Sequence, residues 1–322
     1  MKSSGNMAIL AVMVRYNTPL AQSDTANGVR HALASNPMLR EKYRFLIWDN
    51  SPEGLTNPSI PTPFEYCHSR HNLGISGACN GALQLAHKQG HAWMLLLDQD
   101  THVTAAFLET MLRWSMDLAL RREIAIAAPT VRVGNKIVSP RRHLLNRHHA
   151  YPDAAPCIAD GEPFAINSGS LMRTSALRAI GGFSPDFWLD YSDIYVCHQL
   201  YLHGYKIWRA TDAELQHEMS VMDYDRLMTP SRYTNFSYAE TAFNDLYRGT
   251  FENWVQNLRL AARAVRQRRK YKDPAFSRIT LAQLFYRLRV SRASRIEQWM
   301  RSGEQRRARA TLQDALDQRM AG

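Results

Sequence analysis

The sequence predicts an α/β fold, a mainly parallel sheet flanked by helices, followed by a helical and basic C-terminal region. Three observations carry this. Apolar runs of strand length alternate with helical stretches as far as Val133. Three of those runs end in polar groups: Arg15-Tyr16-Asn17, Asp49-Asn50 and Asp98-Gln99-Asp100. Beyond about Tyr233 the chain reads as helix throughout, with arginine at many positions. In open parallel sheets ligands bind beyond the carboxyl ends of the strands, so three polar tips mark one sheet edge as the place for chemistry.

Each element follows from a local pattern. Residues 8–16 (AILAVMVRY) form a continuous aliphatic run, the mark of a buried strand. A polar helical stretch from about Leu20 to Ser35 comes next. Tyr43–Asn50 is a second strand, stopped by NSPEG, and PFEYCHS is a short third. SGACNGALQLAHKQG reads as a helix with Gly90 as its stop. Trp93–Leu97 is the fourth strand, a helix runs from about Ala105 to Leu120, and IAIAAPTVRV is the fifth strand. Val138–Pro156 is rich in Arg, His and Pro and is expected to be a long loop, the kind that often serves as a lid. PFAINSGSLMRTSALRAIGGF predicts a strand, a small-residue turn and a short helix closed by Gly181-Gly182. An acidic turn, a helix from about Asp193 to Leu202, a stop at Gly204 and another strand follow. The expected division is 1–232 and 233–322.

Composition narrows the function. With 322 residues, 45% of them hydrophobic, the chain can bury a sizeable core. No apolar run is long enough to span a bilayer, and the N-terminal MKSSGNMAILAVMV is too weakly built for a signal peptide. Four scattered cysteines without a CxxC pair argue against a disulfide framework or a zinc site, so a reducing, cytoplasmic setting is expected. The net charge of +11 is uneven: Arg259–Arg309 holds sixteen Lys or Arg against Asp273, Glu297 and Glu304. That local +13 leaves the rest at −2, which removes the main support for nucleic-acid binding by the whole protein.

The strand WMLLL runs directly into Asp98 and Asp100. Two acids sharing a small volume repel unless a positive group joins them, and a divalent cation is the candidate. Read alone, the pair could instead cap the helix that begins near Thr104.

VRYN, IWDNSP, NLGISGACNGAL, LLLDQD, INSGSLMR, IGGF, FWLDYSD and ELQH occur in that order between Ala8 and Ser220. In these segments the chain resembles the family 2 inverting glycosyltransferases of GT-A fold, and among them the bacterial rhamnosyltransferases. The resemblance implies a nucleotide-sugar donor, with dTDP-L-rhamnose expected and a UDP- or GDP-sugar as the alternative, and a glycan or lipid-linked glycan acceptor. It implies a Mg²⁺ or Mn²⁺ held by Asp100, Asp98 and His217, since hard cations take carboxylate oxygens. By the same match Tyr16, Asn17 and Asp49 surround the base, Asn72, Gly74 and Asn80 line the nucleotide side, and Asp98, Gln99 and Ser168 belong to the donor site. Asn and Gly are also ordinary turn formers, so Asn80 in particular has a structural alternative. The general base falls on Asp193, with Asp190 as runner-up. After that base the family's usual acid and Leu-Arg pair are replaced by Tyr195 and His198-Gln199, and Ser220 stands where a Gly is usual after the His.

A non-catalytic sugar or nucleotide binder is the reading from another class, and the joint presence of Asp98, Asp100 and Asp193 argues against it. In the basic tail, Leu281, Leu284, Phe285 and Leu288 fall at helical spacing, with Ile296, Trp299 and Met300 beyond. Such a helix suits peripheral contact with the anionic inner face of a membrane. Packing on the catalytic region or a dimer contact are the alternatives.

Overall fold

The structure is a computed structural model, and it describes residues 8–55, 60, 62–151, 155–216 and 228–304. The order is β1 (Ile9–Arg15), α1 (Asp24–Ser35), α2 (Leu39–Lys42), β2 (Tyr43–Asp49), β3 (Phe64–His68), α3 (Gly74–Gln89), β4 (Trp93–Asp98) and α4 (Ala105–Asp117). Then come β5 (Ile124–Val133), β6 (Lys136–Ser139), β7 (Arg141–Leu144), β8 (Arg147–His149), β9 (Cys157–Ile158), β10 (Glu162–Phe164) and β11 (Leu171–Arg173). They are followed by α5 (Thr174–Ala179), α6 (Ser192–Leu202), β12 (Lys206–Gln216), α7 (Pro230–Tyr247), α8 (Thr250–Lys270) and α9 (Ala275–Arg289).

Among the described residues nine strands make the central sheet, in the order β3-β2-β1-β4-β11-β5-β12-β9, with β6 also on β5. β3, β2, β1 and β4 run parallel, as do β5 and β12, while β11 is antiparallel to both of its neighbours. β1 is buried along its whole length, with α3 packed on it, which is why its sequence is almost continuously aliphatic. Register sets the functional edge: Arg15 lies opposite Asp49 and Val14 opposite Asp98, so the polar tips arrive together. α3 lies close over Trp48 because residue 81 is glycine; a Cβ there would stand 2.0 Å from the indole ring. Gly90, at φ +78°, closes α3 as its sequence predicts.

One expectation fails. Val138–Pro156 is not a loop throughout: β7 and β8 form a hairpin within it and pair with β10 in a separate three-stranded sheet. Leu145 and Asn146, at φ +48° and +56°, make the turn. The strand signal is hidden because these short, half-exposed strands are built of Arg and His rather than β-branched residues.

The chain forms two compact units. One comprises Met1–His143, His148–Ser184 and Ser192–Glu218; the other comprises Leu144–Arg147, Pro185–Tyr191 and Met219–Gly322. Two short segments thus join the C-terminal unit, Asp190 among them. That unit is helical through α7, α8, α9 and residues 292–304. Its helices meet through polar side chains. The Gln267 amide donates to the Tyr233 hydroxyl at 2.9 Å, and Thr280 donates to Gln267 Oε1 at 2.7 Å. Arg295 binds both oxygens of the buried Asp245 at 2.7 Å, and Arg287 adds a bond at 3.2 Å. Arg263 makes two bonds of 2.6 Å to Glu240. Among the described residues no helix is long and apolar enough to cross a membrane.

Candidate active site

The register of β1 and β2 puts Arg15 beside Asp49, and the two form an ion pair with Asp49 fully buried. Asp49 also accepts from the Ser51 amide at 2.9 Å, the Ser51 hydroxyl at 2.6 Å and the Tyr66 hydroxyl at 2.7 Å. Burial pushes its carboxyl up, but these donors and the guanidinium outweigh burial and hold it below the usual carboxylate range. Burial, with Asp49 as acceptor, pushes the Tyr66 hydroxyl up to about 12. His68 Nε2 contacts the Ser51 carbonyl at 2.8 Å and so steadies the turn after β2. Asp49 therefore acts within the fold as a hub, and Tyr16 and Asn17 are the exposed groups at this tip. Asn17 stands at φ +53°, held there by its amide donating to Ser51 Oγ at 2.8 Å.

The tip of β4 is pinned in the same way. Thr25 donates to the Asp98 carbonyl and, at 3.0 Å, to that of Thr101, while Ser23 donates to the Gln99 carbonyl at 2.7 Å. Gln99 Oε1 accepts from the Tyr16 amide at 2.9 Å. The side chain expected at the donor site thus ties the tips of β1 and β4 together. Asp98 is half-buried and Asp100 exposed. The helix-cap alternative for these acids does not hold, because Thr104 caps α4 itself, accepting from the Phe107 amide at 3.2 Å.

Asn72 and Gly74 open α3. The Asn72 side chain accepts from the Gly74 amide at 2.9 Å, Gly74 sits at φ +67°, and its carbonyl takes a 3.0 Å bond from Asn50. Asn80 has a use other than the expected one. It accepts from the Phe183 amide and donates to the Phe183 carbonyl, both at 2.8 Å, so both ends of its amide hold the Gly181-Gly182-Phe183 turn.

A line of contacts runs from the acid pair to the segment carrying the expected base. Ser168 Oγ meets Thr101 Oγ1 at 2.5 Å and accepts from the Asp98 amide at 3.4 Å. Its neighbour Asn167 donates to Ser192 Oγ at 3.0 Å. Ser192 opens α6, and the half-buried Asp193 lies in the first turn of that helix. Near the same end of α6, Tyr191 is held at φ +66°, an uncommon conformation for an aromatic residue. Further along α6, His198 Nδ1 pairs with Glu162 at 2.7 Å. Asp190 belongs to the helical unit, where Arg232 contacts it at 2.9 Å. Burial raises its carboxyl pKa, which Arg232 opposes. His217 lies outside the described residues. Sequence reasoning passed over Thr25, Ser51, Tyr66, Thr101 and Asn167, small polar residues whose placement depends on pairings distant in the chain.

Residues 45–181 match the family model Glycosyl transferase family 2. That span takes in Asp49, Asn72, Gly74, the acid pair and Ser168 and stops short of Asp190 and Asp193. The α/β fold with its central sheet is GT-A-like, with helices added at the C-terminus. Two structures of S. aureus TarS are similar to this chain. One has 12% identity and a TM-score of 0.48, covering 81% of this chain and 44% of that one. The other, TarS 1-349, has 13% identity and a TM-score of 0.48, covering 94% and 92%. The chain thus spans less than half the length of the first. No curated protein matches it.

Proposed function

We propose that the chain is an inverting, metal-dependent glycosyltransferase of cell-surface polysaccharide synthesis. It moves a sugar from a nucleoside diphosphate donor, with dTDP-L-rhamnose the first candidate, to a hydroxyl of a glycan or lipid-linked glycan. The observation that carries this reading is the run of contacts from Asp98 through Ser168, Asn167 and Ser192 to the neighbour of Asp193. It supports a reading in which a carboxylate pair suited to a diphosphate's counter-ion works with a separate acid suited to proton removal.

The donor chemistry of the tip fits a hard cation. Among the described residues no group of three His, Cys, Asp or Glu gathers to hold a metal. Asp98 and Asp100 alone are adequate where substrate phosphates and water complete the shell, as is usual for Mg²⁺. His217 is the further candidate ligand. When bound, the cation neutralises the diphosphate as a Lewis acid. The chain's own residues do the rest. Arg15, Asp49, Ser51 and Gln99 hold the backbone of Tyr16 and Asn17 in place for the nucleoside. Asp193 accepts the acceptor hydroxyl's proton as that oxygen bonds to the anomeric carbon from the side opposite the departing diphosphate. The partners are the donor, the acceptor and, through the C-terminal helices, an anionic membrane surface.

The test is incubation with a panel of dTDP-, UDP- and GDP-sugars while nucleotide release is followed. Release from dTDP-L-rhamnose alone supports the donor assignment, and release from another donor replaces it. Binding without release from any donor, with a lipid-linked acceptor supplied, would leave a non-catalytic binder.

A further inference from the structure

In the C-terminal unit the seam between α8 and α9 is largely polar. The buried positions of α8 include Asn253, Gln256 and Gln267, and those of α9 include Thr280, Gln283 and Arg287. Thr280 bonds Gln267 and Arg287 bonds Asn253 between the helices, beside the buried Leu260, Ala264 and Phe276, so much of the inward surface is hydrophilic. The outward faces are apolar. On α8, Phe251, Trp254, Leu258 and Val265 recur at helical spacing and leave one side as a single stripe. On α9, Leu281, Phe285 and Leu288 do the same. Exposure runs from 39% at Leu281 to 64% at Phe251. An apolar stripe of this size on a soluble surface marks an interaction site.

Charge decides what covers it. The α8 stripe runs into the exposed Arg266, Arg268, Arg269 and Lys270. On α9, exposed Arg278 and Arg289 flank the apolar residues, and the Arg289 guanidinium lies 5.6 Å from the Phe285 ring. A second copy of this chain would bring one strongly basic face against another. Nucleic acid would satisfy the arginines but leave leucine and valine against a charged backbone. An anionic bilayer surface answers both features, taking aromatic and aliphatic side chains at its acyl boundary and cations at its headgroups.

We propose that α8 and α9 dock the protein onto anionic membranes, with Trp254, Leu258, Phe285 and Leu288 inserted among the lipids. This deepens the peripheral-membrane contact proposed above and does not depend on the transfer reading. It also corrects the sequence expectation for the tail. The larger apolar stripe is on α8, Trp299 packs against Phe187 at 5.7 Å, and Arg287 and Arg295 are spent on Asp245 rather than on lipid.

The experiment is co-sedimentation of the full chain with vesicles of phosphatidylcholine, with and without phosphatidylglycerol. Nucleotide binding is measured in parallel, so that failure of docking and failure of the donor site are told apart. The expected result is binding to the anionic vesicles only. The paired substitution Trp254→Ser and Leu288→Ser is expected to lower it by about tenfold or more, with an unchanged melting temperature. Arg266→Glu with Arg269→Glu is expected to lower it by a similar factor and to weaken its salt dependence. Failure to bind anionic vesicles overturns the proposal. So does binding that is insensitive to the serine pair, or a dimer in light scattering that the serine pair dissolves while vesicle binding is unchanged.

Discussion

Replacing Asp49 by Asn tests the frame of the nucleotide edge. The carboxylate is fully buried and accepts from Arg15, Tyr66 and both donors of Ser51. Asn keeps the shape but removes the charge and turns an amide N–H toward donors. Arg15, itself buried, loses its counter-ion. Breaking one partner of a buried pair costs about 3–5 kcal/mol. At roughly 2–4 °C per kcal/mol for a unit of this size, the melting temperature falls by about 6–20 °C. The double substitution Arg15→Met, Asp49→Asn leaves no unpaired charge and recovers most of the loss. The pH dependence has a definite sign. A carboxyl whose folded pKa is lowered stabilises the fold above its unfolded value, about 3.9, and that stability is lost as pH falls through the folded value. The gap between wild type and Asp49→Asn is therefore full at pH 7 and shrinks below about pH 4. Calorimetry across that range is the assay. Equal melting temperatures at pH 7, or a gap of the same size at pH 3, would refute the reasoning.

Three further outcomes follow from the site. Asp193→Asn lowers turnover by about 10²–10⁴-fold while nucleotide affinity stays level, and Asp190→Asn has the smaller effect; full turnover in Asp193→Asn moves the base elsewhere. Asp100→Ala weakens nucleoside diphosphate binding in Mn²⁺ by about tenfold or more in titration calorimetry, and unchanged affinity removes Asp100 from the metal site. Gly81→Ala forces a methyl into the Trp48 ring and destabilises the fold by about 1–3 kcal/mol in urea unfolding; a neutral result would mean that α3 and β2 separate freely.

β1 and β4, which carry two of the polar tips, were legible because both are buried almost throughout and leave an unbroken apolar signature. The order of the functional edge followed, since parallel strands deliver their carboxyl ends together. The hairpin of β7 and β8 was not legible, because half-exposed strands of Arg and His lack that signature. Residue roles were harder still. Gln99 and Asn80 sit in recognisable motifs, yet each spends its amide on a backbone far away in the chain, Tyr16 for one and Phe183 for the other. The arginines of the tail are alike in sequence, and only packing separates Arg287 and Arg295, turned onto Asp245, from those left at the surface.

The reversed direction of β11 has a bearing on how this edge of the sheet can change. In an all-parallel sheet one rim receives only the segments that leave strands. Running β11 backwards delivers to that rim a segment on its way into a strand, so Ser168 reaches Asp98 from 70 residues downstream. That segment is thereby uncoupled in sequence from the turn that bears the acids. Lengthening or recolouring the approach to β11 changes this part of the rim while the carboxylates keep their footing.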